Sequence, residues 1–404
     1  MDPNAAKAAP NLLTLRPGGP FVGLLNCETK TNSCQPMHLF NISSVPVFSC
    51  ELQPRKADVY GVAKGDIVLA QAADTGLIHN RAFDPATQVF SPMYEPSQAS
   101  SPRFQAYVKQ AAGHLLDQLA GRPGLIVEVG SGDGAFLREI ASIAGCAAVG
   151  IDPSGPDAEA SNGLRFRQEF LAPAHAELAA DLVICRHTLE HIQDLPQFLQ
   201  LLAGLAAGPE TLFYFDVPEA TRIWDEGAFW DVYYEHCNYF DQGSLQAVLT
   251  AAGFATLGMW TEFDDQYLCA TAKLAGPGKT DAPVLQDAPL MRFETTRAAW
   301  NDWFTQHADQ RLALWGGGSK AVGFLAALDV GTTAVSVVDI NPAKTGCYLP
   351  GSGLMVHHPS DLPTLKPDHI IIMNPAYITE ITSMLPDALH GQITLWSVNG
   401  ERLS

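Results

Sequence analysis

Residues 125–137 read LIVEVGSGDGAFL, an apolar strand-like run that breaks into alternating glycines and then resumes as an amphipathic helix. Gly130, Gly132 and Gly134 therefore sit where the chain leaves a strand and enters a helix. Glycine at such a junction permits positive φ and lets the backbone approach a ligand closely. The free N–H groups at the helix start can meet a negative group. Glycines alone do not choose the ligand, because Gly130, Gly132 and Ala135 also satisfy the dinucleotide spacing G-x-G-x-x-A.

The flanking pattern narrows the choice. Phe104, Tyr107, Val108, Ala111, Leu115, Leu116 and Leu119 recur at helical spacing, and Gly121 with Pro123 ends the run. Strands are predicted over 125–129, 147–152, 164–168, 181–185 and 211–216, with helices from Gly134 and over 195–205. Strands that are apolar almost throughout, separated by helices, imply a parallel sheet covered on both faces. A helix over 244–252 stops at Gly253, and strands 255–261 and 267–274 are joined by the short polar link 262–266. A closing hairpin is the arrangement of class I methyltransferases, whereas a dinucleotide fold continues with strand-helix crossovers. Glu128 ahead of the glycines can attract a cationic methionyl end, and Asp152 can accept from ribose hydroxyls. Together with the hairpin they favour S-adenosylmethionine over a dinucleotide or a mere tight turn.

At 404 residues the chain exceeds one ordinary core, and an α/β architecture in three parts is expected. Residues 1–97 are short apolar pieces broken by Pro, Gly, Asn and Asp, which suggests a small irregular β-rich module. Residues 98–275 form the Rossmann-like methyltransferase domain. The breaker-rich stretch 276–289 leads into 276–404, a smaller Rossmann-like domain with a helix over 292–307, strands at 312–315, 334–339, 369–373 and 392–398, and a helix over 321–328. A net charge of -19 without any Lys/Arg-rich run argues against a nucleic-acid partner. The N-terminus lacks a basic start followed by an apolar stretch, and no run reaches membrane-spanning length, so no membrane association and a cytoplasmic location are expected. The eight cysteines are scattered, with no C-x-x-C pair.

Two polar constellations follow strand ends. Residues 186–191, RHTLEH, contain the inverted zinc-peptidase pattern H-x-x-E-H. Histidines four apart on a helix can share a metal, but these follow the fourth strand, where a methyltransferase presents residues to donor and substrate. His187 is placed on the methyl-donor side and His191 in the lining of the active site, with a structural histidine pair as the bland reading. Residues 230–240, WDVYYEHCNYF, join a group titrating near neutrality (His236), a carboxylate to orient it (Glu235) and phenols to hold an oxyanion (Tyr233, Tyr239). Those are the tools for removing a proton beside a carbonyl. An aromatic loop packed under a lid is the alternative.

With VEVGSGDGAFL, RHTLEHIQDL, DVYYEHCNYF, LWGGGSKAVGFL, VVDINPAKTGCYLPGSG and IIIMNPAYITEI all present, the chain resembles the sugar C-methyltransferases that act on nucleotide-linked 4-keto-deoxysugars. The resemblance runs from Cys27 onward, weakly in the first module. It implies that Tyr233, Glu235 and His236 carry base catalysis at sugar C3, with His236 the general base and His191 lining the substrate. It also implies that the third domain is a sugar-nucleotide module: Gly316, Gly318 and Ala321 fit G-x-G-x-x-A, Lys320 meets the pyrophosphate, and Asp339 meets a ribose. Asn374 falls on the family's W-N pair, where Met373 replaces the tryptophan. The family's structural zinc is not expected, because its C-x-x-C-G-L ligand positions are Ala72 and Thr75 here, although Cys27, Cys34, His38 and Cys50 remain. Tyr94 keeps the first tyrosine of a Y-x-Y pattern that lines the active site, and Pro96 replaces the second. An O- or N-methyltransferase of another small molecule is the alternative, and a non-catalytic protein with this fold the third reading.

Overall fold

The computed structural model describes residues 40–88, 94–159, 163–279, 288–331, 333–386, 389 and 391–404. The described chain opens on a four-stranded antiparallel sheet made by β1 (Phe40–Pro46), β2 (Lys64–Gln71) and β3 (Ile78–Asn80), plus residues Asn238–Tyr239 from far along the chain. Partial inside-outside alternation along β1 and β2 puts Phe40, Ile42, Ile67 and Leu69 into the core.

The central lobe begins with α1 (Pro102–Asp117), which starts where the Ser101 hydroxyl accepts from the Phe104 amide and Pro102 takes the first helical position. Then come β4 (Leu125–Val129), α2 (Ala135–Ala144), β5 (Ala147–Ile151), β6 (Ala158–Glu159), β7 (Leu164–Arg167), β8 (Leu182–Arg186), α3 (Leu195–Ala203) and β9 (Leu212–Pro218). The lobe continues through α4 (Ala220–Glu226), β10 (Asn238–Tyr239), α5 (Gln242–Ala251), β11 (Phe254–Glu262) and β12 (Tyr267–Leu274). The strands lie in the order β11-β12-β9-β8-β4-β5-β7-β6. β12 is antiparallel to both β9 and β11, so the hairpin closes the sheet as class I methyltransferases do. β4 sits between β5 and β8, where the winding reverses, and its loop therefore opens into the crevice at the carboxyl edge.

The last lobe holds α6 (Ala288–Gln306), β13 (Arg311–Trp315), α7 (Ser319–Ala327), β14 (Ala334–Val338), β15 (Val356–His357), α8 (Leu362–Leu365), β16 (His369–Ile372), α9 (Ile378–Met384) and β17 (Thr394–Ser397). Its five strands are all parallel, in the order β15-β14-β13-β16-β17. The expected strands and helices of both α/β lobes are present, with ends shifted by one to three residues in most cases. Residues 280–287 of the breaker-rich stretch lie outside the described residues.

The lobes share apolar contacts. Phe40 meets Phe293 at 4.7 Å between ring centroids, and Phe229 stacks on Phe324 at 5.8 Å and 12°. α7 lies against residues 229–231 so closely that a Cβ on Gly323 would stand 2.8 Å from the Trp230 carbonyl oxygen. Gly to Ala normally favours a helix interior by about 1 kcal/mol. Here the backbone contact reverses the sign: Gly323→Ala is expected to lower stability by about 1–3 kcal/mol, the usual cost of overpacking, measured as an earlier denaturant midpoint. An unchanged or later midpoint would contradict the packing.

Candidate active site

The first glycine loop is held by its own backbone. Gly130 donates to the Ile151 carbonyl at 2.8 Å, and Gly132 donates to Asp152 Oδ2 at 2.9 Å. All three glycines have positive φ. A Cβ on Gly130 would lie 1.9 Å from Thr188 Oγ1, and one on Gly134 would lie 2.2 Å from the Phe166 ring, so both are demanded by close packing. At Gly132 a Cβ would meet nothing within 4 Å, which leaves open space above the loop. Asp152 also receives Ser154 N and Oγ, both at 2.7 Å, and Gly155 N at 2.9 Å on Oδ1, so its carboxylate is fixed before any ligand arrives.

Glu128 is 2% exposed, and its Oε2 has no hydrogen-bond partner. Burial raises its pKa from 4.5 to about 8, against the pull of Arg186. Arg186 itself is taken up by Asp216, its Nε donating to Oδ2 at 2.8 Å, and it stacks over Phe136 at 4.0 Å. A buried carboxyl with an unpartnered oxygen, beside an open glycine loop, fits a cationic amino-acid ligand.

His187 and His191 do not share a helix. His187 has φ 46, Thr188 is non-helical, and only a single 3-10 turn, Leu189–His191, follows. The Asn238 side chain stabilises that turn by donating to the carbonyls of Leu189 and Ile192. The His187 ring lies 4.7 Å from Tyr267, and burial lowers its pKa. His191 Nδ1 lies 2.8 Å from the Glu235 carbonyl oxygen, which can only accept, so Nδ1 carries the hydrogen and Nε2 the lone pair. Burial pushes His191 down to about 4.

The two constellations meet. The rings of His191 and His236 lie edge to face at 4.8 Å, and Tyr233 approaches His236 at 4.6 Å. Burial, followed by the neighbouring His191, holds His236 well below 6.5. Glu235 was expected to orient His236, but its carboxylate instead accepts from Ser49 N at 2.9 Å and Ser49 Oγ at 2.5 Å. Burial raises it to about 7. The physical reason is the local turn: the side chain of Glu235 points to the loop that follows β1, while its carbonyl faces His191. Tyr239 donates to the Tyr233 carbonyl at 3.1 Å, and Tyr233 donates to Asp231 Oδ1 at 3.1 Å. Tyr94 packs edge-on against Phe48 at 5.5 Å, and burial, then Glu235, raises its phenol.

In the third lobe Gly316 has φ 122 and donates to the Val338 carbonyl, and Gly317 donates to Asp339 Oδ2 at 2.7 Å. A Cβ on Gly318 would stand 3.5 Å from Lys344 Nζ. Lys320, expected at a pyrophosphate, instead places its ammonium on Asp231. Asn374 forms a reciprocal pair with Gln266 at 2.7 and 3.0 Å, holding the lobe to the closing hairpin. Lys344, 3.5 Å from Asp339, is the cation beside this loop, and the residues alone gave no sign of it beyond its place five positions after Asp339. Glu190 was likewise not foreseen: it is 1% exposed, has an unpartnered Oε2, and clusters with His191 and His236. At the two positions the resemblance assigns to zinc ligands, Ala72 and Thr75 lie in the β2–β3 turn, which is closed by backbone bonds between Ala72 and Leu77 and between Gly76 and Ala72. Cys50 lies against Ser319 Oγ at 3.1 Å, and Cys27, Cys34 and His38 lie outside the described residues.

Folding raises the proton affinity of Glu128, so its stabilising contribution is complete at acid pH and is lost as pH climbs from 4.5 through about 8. Glu128→Gln, which removes that titration, is expected to melt several degrees above the parent at pH 9 in ligand-free protein, with the gap narrowing towards pH 5.5. A gap independent of pH in scanning calorimetry would contradict the buried, protonated state.

Residues 104–257 match the family described as a methyltransferase domain, and residues 295–395 match the family described as a C-methyltransferase C-terminal domain. The chain is 26% identical over 303 residues to the C-methyltransferase NovU of Streptomyces niveus, covering 66% of this chain and 71% of that protein. Among solved structures it is similar to an O-methyltransferase family protein from Burkholderia thailandensis, with TM-score 0.34, 16% identity, and coverage of 43% of this chain and 59% of that one. It is also similar to magnesium protoporphyrin IX methyltransferase from Synechocystis PCC 6803 with bound SAH, with TM-score 0.32, 20% identity, and coverage of 43% and 84%. The match thus spans under two thirds of the Burkholderia protein's length.

Proposed function

The chain is an S-adenosylmethionine-dependent methyltransferase whose residues 295–395 match a C-methyltransferase domain, and from that premise we propose that it methylates C3 of a nucleotide-linked 4-keto-deoxysugar through an enolate. The observation that carries this reading is the meeting of His236, His191 and Tyr233, with ring centroids at 4.8 and 4.6 Å. Two unprotonated imidazoles and a phenol can take a proton from a carbon and hold the resulting charge on an adjacent oxygen. An acceptor hydroxyl would call for less.

When bound, S-adenosylmethionine supplies a methyl group electrophilic enough to be taken by a carbon nucleophile. In this reading Glu128 attracts the amino end, the Gly130–Gly134 backbone admits the nucleoside, Asp152 accepts from the ribose, and His187 lines the donor side. His236, held well below its ordinary pKa, has a free ring nitrogen at neutral pH. The ketone at C4 acidifies C3. The C3–H bond breaks towards His236, the electron pair moves onto the C4 oxygen as an enolate, and Tyr233 donates a hydrogen bond to it. His191, its Nδ1 fixed by the Glu235 carbonyl, keeps the substrate against His236. Glu235 braces the segment through Ser49. Tyr94 borders the sugar, and the second loop, with Gly316, Gly318 and Asp339, receives the nucleotide. Lys344 takes the charge-matching role first expected of Lys320, and Asn374 holds the lobe in place through Gln266.

Incubation with labelled S-adenosylmethionine and a panel of keto-sugar nucleotides is expected to give a methyl mass increment, and His236→Ala is expected to reduce the rate about 10²–10⁴-fold. Full methyl transfer by that variant would remove His236 from the role. Deuterium placed at C3 is expected to be lost in the product; its complete retention would favour O- or N-methylation. Because burial and the neighbouring His191 hold His236 well below 6.5, the acid limb of kcat/KM that reports this base is expected below the range of an ordinary imidazole, and an acid limb centred at or above 6.5 would contradict the role.

A further inference from the structure

Asp231 is 3% exposed and lies between two cations. Arg222 Nη2 donates to its Oδ2 at 2.6 Å. The Lys320 ammonium donates to Oδ1, the same oxygen that accepts the Tyr233 phenol. Burial alone would raise the pKa of this carboxyl, but Lys320 and then Arg222 hold it well below the usual range. It is therefore a charged acceptor whose field is largely cancelled by its partners.

Tyr233 has one hydrogen to give. Given to Asp231, it is not available to the oxygen that turns negative during proton abstraction. An unpartnered buried carboxylate would keep that hydrogen strongly, since bonds to charged acceptors are short and roughly twice as strong as neutral ones. The Tyr233 to Asp231 separation is 3.1 Å, long for a bond from a hydroxyl to a carboxylate, where about 2.5–2.7 Å is usual. Lys320 on the same oxygen accounts for the slack. Lys320 belongs to the first turn of α7, directly after the second glycine loop, and Gly323 in that helix is pressed against Trp230. The C-terminal lobe thus places the ammonium on Asp231 with little freedom.

We propose that Lys320 is a positioning residue acting through Asp231: it loosens the carboxylate's hold on the Tyr233 hydrogen and so ties the C-terminal lobe to the chemistry at His236. The inference rests on the enolate reading. Arg222 serves the other oxygen and keeps Asp231 ionised. Lys320 sets how tightly Oδ1 binds the phenol.

The test is wash-in of deuterium at substrate C3 in D₂O, with S-adenosylhomocysteine in place of the donor, on the full chain and on Lys320→Met, Tyr233→Phe and the double variant. Tyr233→Phe is expected to slow exchange about 10²–10³-fold, the range for losing one oxyanion donor, and Lys320→Met, which weakens that donor without removing it, about tenfold or more. If Lys320 works through Tyr233, the double variant is expected to be within about twofold of Tyr233→Phe alone. Lys320→Arg is expected to retain most of the rate. Losses that multiply in the double variant, or parental exchange by Lys320→Met, would overturn the inference. Where Lys320→Met melts early because Asp231 is left unpaired, Asp231→Asn added to it is expected to restore folding and recover most of the lost rate; a folded pair with no recovered rate would also overturn it. A parent chain that exchanges nothing overturns the enolate reading, and this inference with it. A parent that exchanges while the losses multiply overturns the inference alone.

Discussion

The short segment Phe229–Phe240 constrains everything else, because the N-terminal module and the C-terminal lobe take hold of it at once. At its start, the 3-10 turn Phe229–Asp231 lies under α7, with Phe229 stacked on Phe324. In its middle, the Glu235 carboxylate accepts from Ser49, in the loop that follows β1. At its end, Asn238 and Tyr239 form β10, pairing with His79 and Ile78 of β3. His236 lies between these anchors, so its position is set by tertiary contacts and not by its own backbone propensity. Buried polar groups make the arrangement stringent, since a misplaced lobe would take Lys320 from Asp231 or Ser49 from Glu235.

The two α/β lobes repeat one local solution. In each, the first amide of the glycine loop donates to the last residue of the neighbouring strand, Gly130 to Ile151 and Gly316 to Val338, both at 2.8 Å. In each, a later loop amide donates to the aspartate after that strand, Gly132 to Asp152 and Gly317 to Asp339. An acidic residue at that place therefore shapes its loop whether or not a ligand is bound. The lobes differ in what surrounds the aspartate. Asp152 is caged by Ser154 and Gly155, with no cation in direct contact among the described residues, whereas Asp339 has Lys344 beside it. The first loop accordingly faces a buried acid, Glu128, and the second a buried base. That contrast suits a cationic ligand at one and an anionic ligand at the other.

Much of this was legible in residue order. Apolar strands separated by helical spacing identify a parallel sheet, and the polar link at 262–266 marks the hairpin that distinguishes this sheet from a dinucleotide fold. The glycine loop could be read because its chemistry is local: backbone conformation needs glycine in place, whatever surrounds it. Side-chain partnership over long separations could not. Glu235 and His236 are neighbours in sequence, yet the carboxylate reaches Ser49, 186 positions away. Lys320 follows a glycine loop, yet it serves Asp231 across a lobe boundary. H-x-x-E-H suggests one helical face, but His187 takes φ 46 and the helix never forms. In each case a tertiary contact overrode a correct local rule.

The pairing of β10 with β3 makes the N-terminal sheet part of the catalytic lobe's architecture, not a detachable appendage. β3 is three residues long and is flanked by β2 on one side and the borrowed strand on the other. Without that borrowed strand it becomes an open edge, the kind of surface along which unrelated chains aggregate. Exchange of modules between related enzymes, whether by recombination or in the laboratory, must therefore respect a two-residue register. An incoming N-terminal module has to present a strand that Asn238 and Tyr239 can join, with a hydroxyl placed where Ser49 receives Glu235. A seam two residues long is thus among the contacts that limit modularity in this protein.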